Sequence, residues 1–334
     1  VQNRSIIGFV ICGILILLVL YVAVNKPINN LYEAIIQYHK DKDHVAAAKR
    51  LKKYFGKNEM GLLSRSFASL ALEMDIHTKS IAQLAIEKEK IGTELTIATK
   101  IQNSILPRIF PPFPDRGEFD IFANSQPAKE VGGDFYDFFM VDNDHLALVI
   151  ADVSGKGVPS ALFMMAAKTV IKAQVMAGNS AASTLTATNN TFAASNEAEM
   201  FVSVWLGIYE ISTGIMRCSN AGHEYPAIKK ANEHFKLYKD KHGFVVGGLP
   251  NIQYSEYELK LSKGDTLFVY TDGVTEANNA QHELFGTNRM LDALNSAESD
   301  SPTSVLQRVN EGIKDFVKDA EQFDDTTMLA FRVN

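Results

Sequence analysis

The chain has 334 residues, 46% of them hydrophobic and 22% charged, and carries a formal net charge of -6. At roughly 150 residues per domain, that length suggests about two domains of ordinary globular composition and excludes a chain dominated by disorder. The acidic balance argues against a nucleic-acid partner held by phosphate neutralisation. Two cysteines, Cys12 and Cys218, are too few for a disulfide framework or a Cys-rich metal site and fit a reducing compartment.

The average conceals an N-terminal anomaly. No charged residue occurs from Ser5 to Val24, and Ile6 to Val24 reads IIGFVICGILILLVLYVAV. As a helix this run is about 28 Å long, enough to cross a bilayer core. A secretory signal peptide is the competing reading, but the run is long and no A-x-A-like cleavage site follows, so a retained membrane helix is expected over residues 6–24. Arg4 stands alone before it. Lys26, Lys40 and Lys42 follow closely, with Lys49, Arg50, Lys52, Lys53 and Lys57 beyond, which places the C-terminal side in the cytoplasm and the chain in the cell (inner) membrane. The chain begins at Val1, not Met, which is compatible with an extracytoplasmic segment ahead of it.

Pro27 suits the first turn of a new helix, on which Ile28, Leu31, Ile35 and Tyr38 recur at helical spacing. A longer seam runs through Leu63, Phe67, Leu70, Met74, His77, Ile81, Leu84, Lys88, Ile91, Leu95, Ala98, Gln102 and Ile105, ten of these thirteen being apolar. Its alternating steps of four and three predict a coiled coil that needs a partner helix, with Lys88 and Gln102 weakening the seam while fixing its register. His77 reads as a packed or partly solvated seam residue, since no kinase ATP-binding pattern follows it. With the motif Asn58-Glu59-Met60-Gly61-Leu62-Leu63 and then Ser66-Phe67, residues 25–77 resemble a HAMP signalling domain. The resemblance implies a parallel four-helix homodimeric bundle, against the simpler alternative of a stalk. Residues 78–106 read as a coiled-coil linker, ended by Pro107 and the cluster Pro111-Pro112-Phe113-Pro114.

Beyond it the period shortens. Phe119–Ala123, Leu146–Ala151, Phe201–Tyr209, Ile215–Ser219, Thr266–Thr271 and Met328–Val333 predict strands. Helices are predicted over about Ser160–Met176 and from Ser301-Pro302, with serine as N-cap and proline at the first helical position. The grouping predicts an α+β domain over residues 107–334 with largely antiparallel sheets. Asp134, Asp152, Asp272 and the pair Asp324-Asp325 each abut an apolar run beside glycines or turn residues. One such aspartate is ordinarily a turn former, but several together can converge on hard divalent cations. The absence of His or Cys clusters favours Mg²⁺ or Mn²⁺ over Zn²⁺, and two such ions suit hydrolysis of a phosphoryl group by an activated water.

The segments Pro127-Ala128-Lys129-Glu130-Val131-Gly132-Gly133-Asp134, Asp152-Val153-Ser154-Gly155-Lys156-Gly157, Asn220-Ala221-Gly222-His223, Thr271-Asp272-Gly273-Val274-Thr275-Glu276-Ala277 and Asp324-Asp325-Thr326-Thr327 appear in that order. Together they resemble the stage II sporulation protein E branch of the PPM-type (protein phosphatase 2C-like) serine/threonine phosphatases. The resemblance implies an αββα sandwich of two antiparallel sheets flanked by helices. It also implies hydrolysis of phosphoserine or phosphothreonine on a regulatory protein such as an anti-anti-sigma factor. By the same resemblance Asp134, Asp152, Asp272 and Asp324 are the metal-binding aspartates of a two-ion Mn²⁺ or Mg²⁺ centre, acting through metal-activated water. Val153 supplies a backbone carbonyl, Asp325 ranks second to Asp324, and Lys129 lies near the position of a phosphate-contacting arginine. Asn220 and His223 are given no metal role, a turn around Ala221-Gly222 explaining them equally well.

Gly132-Gly133-Asp134-Phe135 fails as a diguanylate cyclase motif because Tyr136 follows where an acid is needed. Gly155-Lys156-Gly157 is no P-loop, since Ala151 replaces the first glycine and no Ser or Thr follows Lys156. The alternative left open is a catalytically silent phosphatase-like binding module of a membrane receptor.

Overall fold

The computed structural model describes residues 2–52, 56–57 and 59–334. Lys53 and Asn58, which the sequence places in the basic flank and the HAMP-like motif, lie outside the described residues. The chain divides into two compact units at Thr93/Glu94.

In the N-terminal unit, α1 (Gln2–Leu20) passes through a π-helical turn, Tyr21–Asn25, into α2 (Lys26–Asp41), with Pro27 in the first turn of α2. The span Ile6–Lys40 contains a window long and apolar enough to cross a membrane, and none of that window is buried against protein. Between α2 and the long fourth helix the chain forms α3 (His44–Lys52), on which Ala47, Ala48 and Leu51 fall on one face and are buried. Ala48 and Leu51 pack with Leu31 and Ala34 of α2 and with Ala68 and Ala71 of α4 (Glu59–Ile105). Upstream of the unit boundary the seam of α4 is left open: Leu63, Leu70, Ile81, Leu84 and Ile91 are all exposed. His77 is exposed beside Glu73.

The C-terminal unit opens with the last turns of α4 and continues through β1 (Phe119–Gln126), β2 (Phe135–Met140), β3 (His145–Val153), α5 (Val158–Met176) and α6 (Ala181–Ala193). Next come β4 (Val202–Glu210), β5 (Ile215–Ala221), the short β6 (Ala227–Lys229) and β7 (Lys236–Leu237), β8 (Tyr257–Lys260) and β9 (Thr266–Tyr270). The chain ends with α7 (Asp272–Thr275), α8 (Gly286–Asn295), α9 (Pro302–Val317) and β10 (Thr326–Val333). Two five-stranded sheets result, ordered β1-β10-β9-β6-β7 and β2-β3-β4-β5-β8. Every pairing between these strands is antiparallel.

Alternation along the strands explains the layers. On β9 and β10, Leu267, Val269, Leu329 and Phe331 face the inter-sheet core, while Phe268, Tyr270, Met328 and Ala330 face α8 and α9 through Met290, Val305, Leu306 and Val309. With both faces buried, these strands read as unbroken apolar runs. The other sheet is covered by α5 and α6 through Met164, Ala167, Ile171, Val175 and Leu185. The expected αββα sandwich is the fold observed.

One buried ion pair ties α5 to its sheet: Lys168 Nζ lies 2.5 Å from Asp137 Oδ2, and both residues are buried. Removing one partner strands the other charge in the core, so Lys168→Met is expected to lower stability by about 3–5 kcal/mol. In urea denaturation the double variant Asp137→Leu/Lys168→Met should recover most of that loss.

Candidate active site

Antiparallel pairing places the start of one strand beside the end of its neighbour. Phe135 pairs with Ala151 and Tyr270 with Met328. Asp134 therefore precedes β2 next to Asp152 near the end of β3, and Asp272, just after β9, lies next to Asp324 and Asp325 just before β10. The stacked sheets bring the two groups to one end of the sandwich.

The electrostatics record how close they are. Burial, with the charges of Asp152 and Asp325, holds the Asp134 carboxyl well above the usual carboxylate range. Burial and the charge of Asp272, with further repulsion from Asp324 and Asp325, push Asp152 up to about 7. Asp272 is pushed up to about 6 by burial, Glu276, Asp324 and Glu224. Five carboxylates thus oppose one another in a half-buried site.

Several groups hold this arrangement. Asp325 is buried and accepts backbone N–H bonds from Ala128 (2.8 Å) and Gly133 (2.7 Å), fixing the loop that carries Asp134. That approach needs glycine: a Cβ at Gly132 would collide with Asp325 Oδ2, and one at Gly273 with the Asp325 carbonyl oxygen. Thr271 donates its hydroxyl to Asp134 Oδ2 at 2.6 Å while its own oxygen accepts from Thr327 N at 3.0 Å, so it links both strand ends. The Val153 carbonyl at the end of β3 lies against Gly133. A cavity of about 290 Å³ opens beside Asp324, lined also by Phe323, Asn278, Ile313 and Lys314.

This donor set is all oxygen and strongly anionic, which fits hard divalent cations. Among the described residues no three His, Cys, Asp or Glu side chains are gathered closely enough to enclose an ion. Two candidates are engaged elsewhere: Asp325 with backbone amides, and Asp324 with Lys156, whose Nζ is 2.9 Å from Asp324 Oδ2. Of the two, the ammonium contact is the one a cation at Asp324 would compete with.

Lys129 is exposed on the loop after β1. The lysine that reaches the carboxylates is Lys156, which sequence reasoning did not select. Thr271 was also missed, although its place between an apolar strand and Asp272 could have pointed to it. Gln102 requires a correction. It is buried not as a register-setting polar residue facing a partner helix but because its amide brackets Gly132, donating to the carbonyl at 2.5 Å and accepting from the N–H at 3.2 Å. Thr99, one turn earlier, donates to the Glu130 carbonyl at 2.7 Å.

The sequence profile of Stage II sporulation protein E (SpoIIE) matches residues 142–334. The chain belongs to the SpoIIE family. It is 30% identical over 300 residues to Protein IcfG of Synechocystis sp. (strain ATCC 27184 / PCC 6803 / Kazusa), covering 82% of this chain and 46% of that one, so the chain spans about half of that relative's length. It is 28% identical over 249 residues to phosphoserine phosphatase RsbU of Bacillus subtilis (strain 168), covering 73% of this chain and 71% of that protein. Among solved structures, the SiaA-PP2C domain of Pseudomonas aeruginosa superposes with a TM-score of 0.64 at 24% identity, covering 75% of this chain and all (100%) of that one. The SpoIIE-family domain therefore has the PP2C fold.

In this SpoIIE-family domain, Asn220 and His223 form a buried structural turn beneath the acidic end. Asn220 Oδ1 accepts from His223 N at 2.8 Å, and its amide donates to Asp240 at 2.9 Å. The His223 ring contacts Ser203 Oγ at 2.8 Å through Nδ1, and Ser203 pairs with Asp152 across β3 and β4. Burial pushes the His223 imidazole down to about 3. Below the ordinary histidine range the unfolded chain takes up a proton that the folded one refuses, so stability falls as the pH drops from about 6.5 toward 3. The expected slope is about 1.4 kcal/mol per pH unit from this group. Denaturation of His223→Gln across that range should show a pH dependence shallower by that amount.

Proposed function

We propose that this chain is a membrane-anchored, signal-transducing protein phosphatase that removes phosphate from phosphoserine or phosphothreonine on a regulatory protein of the anti-anti-sigma kind. The observation that carries the reading is the convergence of Asp134, Asp152, Asp272, Asp324 and Asp325 from four strand ends in a SpoIIE-family fold. When bound, a pair of Mn²⁺ or Mg²⁺ ions supplies an activated water and neutralises phosphoryl charge. Asp134, Asp152, Asp272 and Asp324 would hold that pair with the Val153 carbonyl, while Asp325 keeps the Asp134 loop in place through its amide bonds. Thr271 fixes the orientation of Asp134. The cavity beside Asp324 is where the polypeptide next to the phosphoserine would lie. The same name, phosphoserine phosphatase, borne by the RsbU relative supports this substrate class.

The N-terminal segments give the regulatory half of the reading. Residues 6–24 anchor the chain in the inner membrane with the phosphatase domain, 107–334, in the cytoplasm; 25–77 act as a HAMP-like unit and 78–106 as a coiled-coil linker. The exposed seam of α4 from Leu63 to Ile91 is the surface on which a second copy would pair. Rotation or sliding of α4 then acts on the Asp134 loop through the bonds from Thr99 and Gln102.

Two experiments test these halves. Phosphate release from a phosphoserine protein should require Mn²⁺ or Mg²⁺ and fall by at least about a hundredfold in Asp152→Asn and Asp272→Asn. Equal turnover in all three proteins would remove the metal-site assignment, and partner binding without turnover in any of them would favour the silent module. For the linker, inserting one to three residues near Thr93 turns the upstream seam by about 100° per residue relative to Gln102. Signal-dependent turnover should be lost or inverted, and an unaltered response would sink the register mechanism.

A further inference from the structure

Lys156 sits in the turn between β3 and α5, flanked by Gly155 and Gly157, both at positive φ (82° and 84°). Those conformations carry the chain sharply around and let the lysine reach the segment ahead of β10. Its ammonium group makes three contacts there. It lies 2.9 Å from Asp324 Oδ2, donates to the Phe323 carbonyl at 2.5 Å, and stands 4.0 Å from the centroid of the Phe323 ring. The Lys156 and Asp324 side chains are only 27% and 26% exposed, so this pair is shielded from water more than a rim salt bridge. The remaining oxygen of Asp324 accepts the Asp325 N–H at 2.9 Å. Both oxygens of this carboxylate are therefore occupied from within the chain.

We propose that Lys156 is an internal counter-cation that competes with the divalent metal for Asp324 and so sets the affinity of the site. The inference rests on the reading of the acidic cluster as a metal centre. A carboxylate oxygen bonded to an ammonium is a poorer ligand, and an ammonium left beside a divalent ion is repelled by it. Metal entry through Asp324 thus requires Lys156 to withdraw from both the carboxylate and the Phe323 platform. In the metal-free protein the same contact offsets part of the repulsion among the carboxylates. A lysine that served only to bind substrate phosphate would leave metal affinity unaffected.

The test uses the full chain in detergent, with Mn²⁺ as the probe, comparing wild type, Lys156→Met, Lys156→Arg and Phe323→Leu. Mn²⁺ binding is followed by titration calorimetry and by the electron paramagnetic resonance signal of free Mn²⁺, and thermal unfolding is recorded with and without the ion. Lys156→Met should bind Mn²⁺ about tenfold more tightly while melting at a lower temperature without metal, two shifts of opposite sense that loss of a merely structural contact does not produce together. Lys156→Arg keeps the charge and should stay close to wild type. Phe323→Leu alters no charge and should tighten binding about two- to fivefold, which keeps the proposal testable if Lys156→Met fails to fold. Unchanged or weaker Mn²⁺ affinity in Lys156→Met or Phe323→Leu, with wild type binding normally, overturns the competition alone. Failure of wild type to bind Mn²⁺ at all overturns the metal centre and this inference with it.

Discussion

Mutual repulsion among five carboxylates, two buried and three half-buried, is the constraint around which the acidic end of the sandwich is built. Desolvation and like charge act in the same direction on Asp134, Asp152 and Asp272, and each is held above its ordinary range. Such an arrangement persists only if the backbone carrying it cannot relax. The antiparallel pairs β2–β3 and β9–β10 fix the strand ends, and the apolar contacts between the sheets fix the ends to each other. Asp325 converts one of the offending charges into a positioning device by accepting two backbone N–H bonds, and charge-assisted bonds of this kind are among the stronger ones available.

The long helix α4 serves two environments with one repeat. As far as Ile91 its seam is exposed apart from Phe67, which packs against the cluster of α2 and α3. From Leu95 onward the same face is at least partly covered, and at Gln102 the side chain meets a backbone amide and carbonyl instead of another helix. A polar residue is the right choice at that position, because an apolar one would leave the N–H and C=O of Gly132 without partners in a buried place. The two carboxamide bonds and the Thr99 bond make the 130–132 backbone follow α4, and Asp134 lies two residues further on.

What the sequence made legible follows from locality. The aspartates could be read because each stands at a strand end next to glycine or a turn, and those strands announce themselves as apolar runs. β2 was hidden inside the motif that carries Asp134, since Phe135–Met140 is buried along most of its length and shows no alternation. α6, with the composition AASTLTATNNTFA, has many residues of modest helix propensity and is held by its Ser180 cap and its packing on the sheet. α3 was concealed by flanking basic residues that mask the small buried face of Ala47, Ala48 and Leu51. The partners of Gln102, Lys156 and Thr271 could not be read because they lie 30, 167 or 168, and 137 residues away in the chain, although the position of Thr271 beside Asp272 was itself visible. Such pairings are decided by the register of the sheets and by loop geometry, not by any local pattern.

The charge of -6 for the whole chain consequently says little about the site. Excess negative charge is concentrated where the fold can least dilute it, and it is answered at close range by Lys156, by backbone N–H groups and by the Thr271 hydroxyl. These partners differ in what they permit. The amides of Ala128 and Gly133, on the loop bonded to α4, and the Thr271 hydroxyl, just after β9, are tied to the backbone segments that carry them. Lys156 rests on a flexible stem, in contact with an exposed phenylalanine, and can withdraw without disturbing a strand. Among the described residues, Lys156 is thus the partner at this end of the domain that could leave at low cost if the proposed metal site took up positive charge. That division between fixed and removable neutralisation lets a stable fold keep a strongly anionic site available for chemistry.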